Sequence, residues 1–134
     1  TRSGRDDLLV RQIERAWPNL FRQAQLIPAV EYIRANRVRT LLMKEMEEKI
    51  QNIDVYVTPS FAEDNLALTN LTGHPAVVLP NGFRTSDGTP TSINFIGRLF
   101  GERELLSVAQ TYQQATDFHL KRPPIERFLN EMAR

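Results

Sequence analysis

The sequence contains no cysteine, only two histidines and one tryptophan, and its charges almost cancel. Without cysteine it can form neither a disulfide framework nor a thiolate zinc site, and this absence fits the cytoplasm. The 17 basic and 16 acidic residues leave a net charge of +1. A nucleic-acid-binding protein carries a basic excess gathered on one face. We therefore expect a cytoplasmic protein that does not bind nucleic acid directly.

Long apolar runs are also missing. No run approaches the roughly 20 residues that a membrane-spanning helix needs, so we expect no membrane insertion. Residues 1–5 hold neither a signal-peptide core nor an initiator methionine, so a processed protein or an excised fragment would both begin in this way. The 134 residues, 41% hydrophobic and 25% charged, have the size and composition of one globular domain with its own core.

Charge is unevenly distributed along the chain. Residues 65–83 contain no Asp, Glu, Lys or Arg, whereas the flanking segments are densely charged. This pattern predicts buried strands between amphipathic helices. We expect one continuous segment with helices in 1–52, strands and a hairpin in 53–97, and helices in 98–134. The predicted fold is α/β, in an α+β-like arrangement with a mixed sheet of about three strands and flanking helices.

Helical periodicity is clearest before the first strand. A first helix is expected to begin near Asp6, and Pro18 either ends it or opens a second short helix. Pro28 fits the first turn of a long helix with a wide apolar stripe, which predicts core packing rather than a coiled coil. The apolar positions of the first helix are Leu9, Ile13 and either Ala16 or Trp17. Those of the long helix are Val30, Ile33, Val38, Leu41, Leu42, Met46 and Ile50.

Three strands are predicted over residues 53–57, 75–80 and 91–96. The turn between the last two is expected at Asp87 and Gly88, with Asn81 and Gly82 as a competing turn. The second strand has almost no polar face, so it predicts apolar cover on both sides. Such a sheet normally continues sideways, which predicts missing neighbours and self-association through an exposed edge.

Two further helices are predicted after the strands. One opens at Gly101 and Glu102, and the other follows Pro123 and Pro124. The inward positions of the first are Leu105, Leu106, Val108, Ala109 and Tyr112. Those of the tail helix are Ile125, Phe128, Leu129 and Met132.

No self-sufficient catalytic site is visible in the residues themselves. None of the serines lies in a nucleophile-elbow motif, and the lysines lie in charged, solvated settings. His74 precedes a strand and favours a hydrogen-bonded turn residue, while the pair Glu63 and Asp64 fits either a cation site or a solvated loop. The scattered glycines match no phosphate-binding loop. We expect no catalytic residue, no metal site and no cofactor.

An ordered set of motifs resembles the C-terminal part of the amidase signature family. Residues 68–83 read LTNLTGHPAVVLPNGF, and the family commonly carries Asn, then Gly-x-Pro-Ala, an apolar strand, Pro and Gly-Phe. The hairpin turn DGTP at 87–90, the strand INFIGR at 93–98 and the helix from 104 to 119 follow in family order. The stretch from 28 to 59 resembles the family's preceding helix and strand.

The resemblance implies an amide-bond hydrolase or the A subunit of a tRNA-dependent amidotransferase. These proteins use a Ser–Ser–Lys triad on a larger α/β/α fold, with the triad upstream of the region present here. This sequence has no adjacent serines and no Gly-Gly-Ser-Ser-like run. The chain alone is therefore expected to be inactive.

The resemblance also implies two substrate-binding candidates. An Asp before the Asn-x-x-Gly-x-Pro element contacts a substrate amino group in the amidotransferase branch, and Asp64 is the nearest position, although the spacing differs. Asn70 is the Asn of that element, either lining the pocket or satisfying buried backbone groups. A solvated surface role is the alternative for Asp64.

Three functions follow from these observations. The leading hypothesis is the C-terminal portion of an amidase that completes the core sheet and walls the pocket for a small-molecule amide. The second is the A subunit of a tRNA-dependent amidotransferase, which works on charged tRNA with a partner subunit. The third is a non-catalytic binding or interaction module that pairs through its sheet edge.

Overall fold

The structure is a computed structural model that describes residues 3–62 and 64–123, together with residues 125 and 129. Its elements confirm the predicted α/β fold, with four α-helices of described bounds and a three-stranded sheet among the residues that the structure describes. The helices are α1 (Trp17–Ala24), α2 (Ala29–Ile50), α3 (Asn65–Thr72) and α4 (Glu102–Ala115). The strands are β1 (Val55–Pro59), β2 (Ala76–Phe83) and β3 (Pro90–Gly97).

The chain divides into two compact units, Thr1–Thr40 and Leu41–Arg134. In the first unit, the predicted helix from Asp6 to Pro18 is wrong: a 3-10 turn spans Asp6–Leu8, and α1 begins only at Trp17 with Pro18 in its first turn. An isolated short helix does not repay its nucleation cost, and the expected inward side chain of Ile13 is 67% exposed.

The apolar stripe of α2 is buried only at its C-terminal end. Met46 and Ile50 are 8% and 7% exposed, whereas Val38 and Leu41 are each 65% exposed. Core packing is therefore confirmed for the last turns of the helix and wrong for the part before them. Helical spacing identifies a face that could be buried, but burial also requires an opposing surface.

The sheet has the order β1-β3-β2, and both pairings are antiparallel. The mixed sheet that the sequence predicted is in this respect wrong: β1 and β2 run in the same direction, but β3 lies between them. The hairpin turn forms at Asp87 and Gly88 as predicted, where Asp87 accepts a hydrogen bond from the Thr89 amide. The competing Asn81 and Gly82 instead form a bulge inside β2.

Helix α4 covers one face of the sheet. Leu105 and Ala109 are 2% and 4% exposed, and the ring centroids of Phe95 and Tyr112 lie 5.2 Å apart. A methyl group on Gly97 would lie 3.1 Å from the Leu105 Cβ, so this glycine permits close approach of helix and strand. Because side chains alternate along β3, Ile93 and Phe95 lie on the same face of the strand as Gly97, toward α4.

The apolar strand β2 is covered less than the sequence predicted. Val78 is 57% exposed, so the expected cover on both faces is wrong within the described part of the chain. Both β2 and β1 are edge strands there. In the tail, Ile125 and Leu129 are helical and exposed, while the expected positions Phe128 and Met132 lie outside the described residues.

Candidate functional site

The face of the sheet opposite α4 carries a row of polar side chains. β1 pairs with β3 in the register Tyr56 to Ile96 and Thr58 to Asn94, so alternate positions of the two strands share this face. We call Tyr56, Thr58, Ser60, Ser92 and Asn94 the polar ladder. Asn94 is 5% exposed and the other four are partly buried, so these groups require hydrogen-bonding partners.

One end of the polar ladder, formed by Ser60, Ser92 and Asn94, is a connected cluster of hydroxyl and amide groups. We call it the upper end, and the end formed by Tyr56 and Thr58 the lower end. The hydroxyl oxygens of Ser60 and Ser92 lie 2.6 Å apart, and either can donate. Ser60 also lies 3.3 Å from the Asn94 Oδ1, to which its hydroxyl can donate, and the Asn94 amide donates to the Ser60 carbonyl at 3.5 Å. The buried Asn94 therefore holds the segment after β1 against β3.

The lower end of the polar ladder is joined to helix α3 through Asn65. Tyr56 donates from its hydroxyl to the Asn65 Oδ1 at 3.1 Å, and the Asn65 amide donates to the Thr58 hydroxyl at 3.2 Å. Partial burial raises the pKa of the Tyr56 phenol above its ordinary value of 10.0, and the protonated phenol is a hydrogen-bond donor at neutral pH. These bonds fix the start of α3 against β1.

Helix α3 also positions both predicted substrate-binding residues. Asp64 precedes its first turn and Asn70 lies in its last, and both side chains are exposed. Six helical positions separate them by about 9 Å along the axis and about 240° around it, so they do not share one face. Asn70 is exposed in the described part of the chain, and both of its roles, at the pocket and at buried backbone groups, stay predictions. Glu63, the other member of the acidic pair, lies outside the described residues.

His74 follows α3 and is 6% exposed, which confirms the hydrogen-bonded turn residue. Its Nδ1 lies 2.8 Å from the Thr72 hydroxyl, whose single hydrogen goes to the Leu68 carbonyl at 2.9 Å. Nδ1 must therefore carry the proton and donate. The buried Nε2 makes no hydrogen bond within the described residues. Burial lowers the pKa of His74, opposed by the negative charge of Glu47.

An open depression of about 550 Å³ adjoins the upper end of the polar ladder. Ser60 and Ser92 line it together with Arg84 and the apolar residues Pro59 and Phe61. Phe61 is 89% exposed, and Arg84 forms a 3.0 Å ion pair with the Asp87 carboxylate across the hairpin turn. The depression therefore combines hydroxyls, one cation and apolar walls.

The geometry assigns no nucleophile. Across residues 3–62 and 64–123, neither Ser60 nor Ser92 hydrogen-bonds to a lysine, a histidine or a carboxylate, so neither hydroxyl has the base that activation requires. In the same part of the chain, no group of three or more His, Asp or Glu side chains could hold a metal ion. None of the described helices is both long and apolar enough to cross a bilayer.

Sequence reasoning missed the residues that organise this face. Asn65 and Asn94 make the connecting hydrogen bonds, whereas the motif directed attention to Asn70. A usable signal was present: polar residues at 56, 58 and 60 alternate with apolar ones, as do those at 92 and 94. Such period-two alternation predicts a polar sheet face.

Comparison with known proteins gives consistent matches to one kind of enzyme subunit. The chain is 36% identical over 115 residues to the A subunit of glutamyl-tRNA(Gln) amidotransferase from Chloroflexus aggregans, covering 72% of the chain and 23% of that relative. The subunit of the same name from Synechococcus sp. (strain JA-2-3B'a(2-13)) is 35% identical over 112 residues, which cover 70% of the chain and 22% of that relative. The one from Methanosarcina barkeri is 33% identical over 112 residues, which cover 69% of the chain and 23% of that relative.

These curated relatives are much longer than the chain, which spans 22–23% of their length. No protein-family model matches the chain. The fold of this chain has the strand, hairpin and helix that the motifs of the resemblance predict. The chain belongs to the amidase signature family and corresponds to a C-terminal part of it.

Proposed function

We propose that this chain is the C-terminal portion of an amide-bond hydrolase, in which it completes the core sheet and walls the substrate pocket. The observation that carries the proposal is the contrast between its membership of an amidase family and the absence of an activated nucleophile among its described residues. Catalysis would then be performed by a Ser–Ser–Lys triad located upstream. The whole protein acts on C–N bonds, and this chain alone is inactive.

The polar ladder is the part of the chain that we assign to the pocket wall. Its hydroxyl and amide groups are held in fixed positions by Asn65 and Asn94, and fixed polar groups orient a substrate with little further loss of entropy. Asp64 is assigned to a substrate amino group and Asn70 to the pocket margin. Both are exposed, so they are accessible to a ligand or to an adjoining part of the protein.

The test is hydrolysis of a panel of simple amides by the purified chain and by the protein translated from its full reading frame. Activity in the longer protein alone, lost on acylation by a serine-directed sulfonyl fluoride, is the expected result. Hydrolysis by the 134-residue chain itself would contradict the proposal, as would a longer protein that resists the serine reagent and remains active.

Asp64 permits a sharper version of this test. In the active protein, Asp64→Asn should raise KM about fivefold or more for amides that carry a free amino group, because an ammonium group loses its carboxylate partner. Amides without an amino group should be unaffected. Asp117→Asn, which removes another exposed carboxylate, is the matched control and should leave both KM values unchanged.

A second candidate function is that of the A subunit in an amidotransferase, favoured by the relatives from Chloroflexus, Synechococcus and Methanosarcina that carry this name. In this case the protein would act on charged tRNA together with a partner subunit. The tRNA would contact surfaces other than this nearly neutral chain. Release of ammonia from glutamine that increases on addition of glutamyl-tRNA together with the partner subunit would favour this branch. Hydrolysis that is independent of both would favour the amidase.

The third function, a free-standing interaction module, would use the unpaired edges of β1 and β2. Self-association through such an edge is expected of the isolated chain. Light scattering after size-exclusion chromatography measures it directly. A monodisperse monomer at about 100 µM would contradict the expected self-association. The cytoplasmic location remains a prediction from the sequence.

A further inference from the structure

The depression beside the polar ladder has a charge pattern that the proposed hydrolase does not use. Arg84 is the only charged side chain among its lining residues, and no carboxylate lines the depression in the described part of the chain. Its guanidinium group has five N–H donors, and the pair with Asp87 uses one nitrogen at 3.0 Å. Other N–H donors of Arg84 therefore remain for a ligand.

The paired serines add a donor that can adjust to a ligand. When Ser60 donates to Ser92 across their 2.6 Å contact, the Ser92 hydroxyl hydrogen is free to donate into the depression. When Ser92 donates instead, Ser60 can direct its hydrogen to Asn94 at 3.3 Å. An anion in the depression favours the first arrangement because it accepts the free hydrogen.

The apolar walls restrict the body of the ligand. Pro59 and Phe61 line the depression, and the Phe61 ring is almost fully exposed, so a flat apolar group can pack against it. A guanidinium group matches the planar, two-oxygen geometry of a carboxylate better than a lysine does. We infer that this depression binds the carboxylate of a small organic acid with an apolar body, through Arg84 and Ser92.

This inference goes beyond the proposed function and does not depend on it, because binding requires no upstream catalytic group. The test is a ¹H–¹⁵N chemical-shift titration of the purified protein with benzoate, compared with benzamide, which has the same shape without the charge. Benzoate should shift the amide signals of Thr91 and Ser92 and saturate at millimolar concentration. Benzamide should bind at least about tenfold more weakly.

Variants assign the effect to the residues. Arg84→Gln should weaken benzoate binding about tenfold or more, and Ser92→Ala about threefold. The control is Arg34→Gln, which removes the same charge from another i,i+3 ion pair, with Glu31 on α2, and should change the dissociation constant less than twofold. Circular dichroism verifies that each variant folds, and Arg84 is exposed enough for its substitution to be tolerated.

Several results would overturn the inference. Equal affinity for benzoate and benzamide would show that the charge of the ligand does not contribute to binding. Equal weakening of benzoate binding by Arg84→Gln and Arg34→Gln would show that the net charge of the protein, and not Arg84 itself, determines the affinity. Tighter binding of inorganic phosphate than of benzoate would show that the depression binds phosphate in preference to a carboxylate. Absence of any shift at Thr91 and Ser92 up to 20 mM benzoate, about twenty times the concentration expected to saturate the site, would show that the depression binds no carboxylate.

Discussion

The two faces of the sheet differ in what their side chains contribute. On one face, Phe95 of β3 and the α4 side chains Leu105 and Ala109 are buried between sheet and helix. On the other, the polar ladder keeps hydroxyl and amide groups that cost free energy to bury unless each is hydrogen-bonded. Burial of apolar area is the larger stabilising term, so the α4 face, together with the buried Ile96 on the opposite face, is expected to support the fold. The polar face offers ordered donors and acceptors, which is what a binding site requires.

The largest expected effect lies on the α4 face. Leu105→Ala should lower the free energy of unfolding by about 3 kcal/mol, because it removes a buried side chain and leaves a cavity beside Gly97 and Phe95. Urea denaturation measures it. The neighbouring Leu106 is 58% exposed, so Leu106→Ala should cost less than about 1 kcal/mol. Equal losses for the two variants would contradict the assignment of this face as the core.

A smaller loss is expected at the buried amide of the polar ladder. Asn94→Ala should lower the free energy of unfolding by about 1–3 kcal/mol, because it leaves Ser60 without its amide partner. Asn81→Ala, at an exposed position of β2, is the control and should stay within about 0.5 kcal/mol. If Asn94→Ala destabilised the protein more than Leu105→Ala, the ranking of the two faces would be reversed.

The polar side should also give the fold its pH dependence near neutrality. Burial lowers the pKa of His74 below its ordinary value of 6.5, so the unfolded chain binds the proton more readily. The stability contributed by neutral His74 is present above about pH 6.5 and is lost as the pH falls below it, by at most about 1.4 kcal/mol per pH unit.

Urea denaturation at several pH values between 8 and 5.5 measures this slope. His74→Asn should flatten it, because the titrating group is gone. His119→Asn removes an exposed histidine and should retain the slope, while Leu105→Ala should lower stability equally at every pH. A slope that persists in His74→Asn would assign the pH dependence to another group.

The smallest effect is expected where the polar ladder meets α3. Tyr56→Phe removes the hydrogen bond to Asn65 and should cost about 1 kcal/mol. Tyr32 is 67% exposed on α2, so Tyr32→Phe is a matched control with an expected change below about 0.5 kcal/mol. Indistinguishable values for the two variants would mean that the Tyr56–Asn65 hydrogen bond does not stabilise the attachment of α3.

The sequence allowed prediction of the elements that local chemistry determines. Pro28 precedes α2, and Asp87 with Gly88 forms the hairpin turn. Prediction failed where the outcome depends on contacts between distant segments. The apolar stripe of α2 correctly identified Met46 and Ile50 as buried. Helical spacing does not show which part of a stripe meets an opposing surface, and Val38 on the same stripe is exposed.

The candidate site was predicted less completely than the fold. The family motif pointed to Asp64, which precedes α3, and to Asn70 in its last turn, both exposed. The hydrogen bonds that organise the face pass instead through Asn65 and Asn94. Those bonds join residues as many as 34 positions apart. Only the strand register brings them together, so a linear motif could not identify them.

The most direct test of the account compares the two faces in catalysis. In the longer protein that we propose to hydrolyse amides, kcat/KM would be measured for Ser92→Ala on the polar ladder and for Val108→Ala, a partly exposed position of α4, with folding verified for both. We predict that Ser92→Ala lowers kcat/KM about tenfold or more while Val108→Ala stays within about twofold of the unmodified protein. Unchanged kcat/KM in Ser92→Ala, or an equal loss in both variants, would contradict the assignment of the polar face to the substrate pocket.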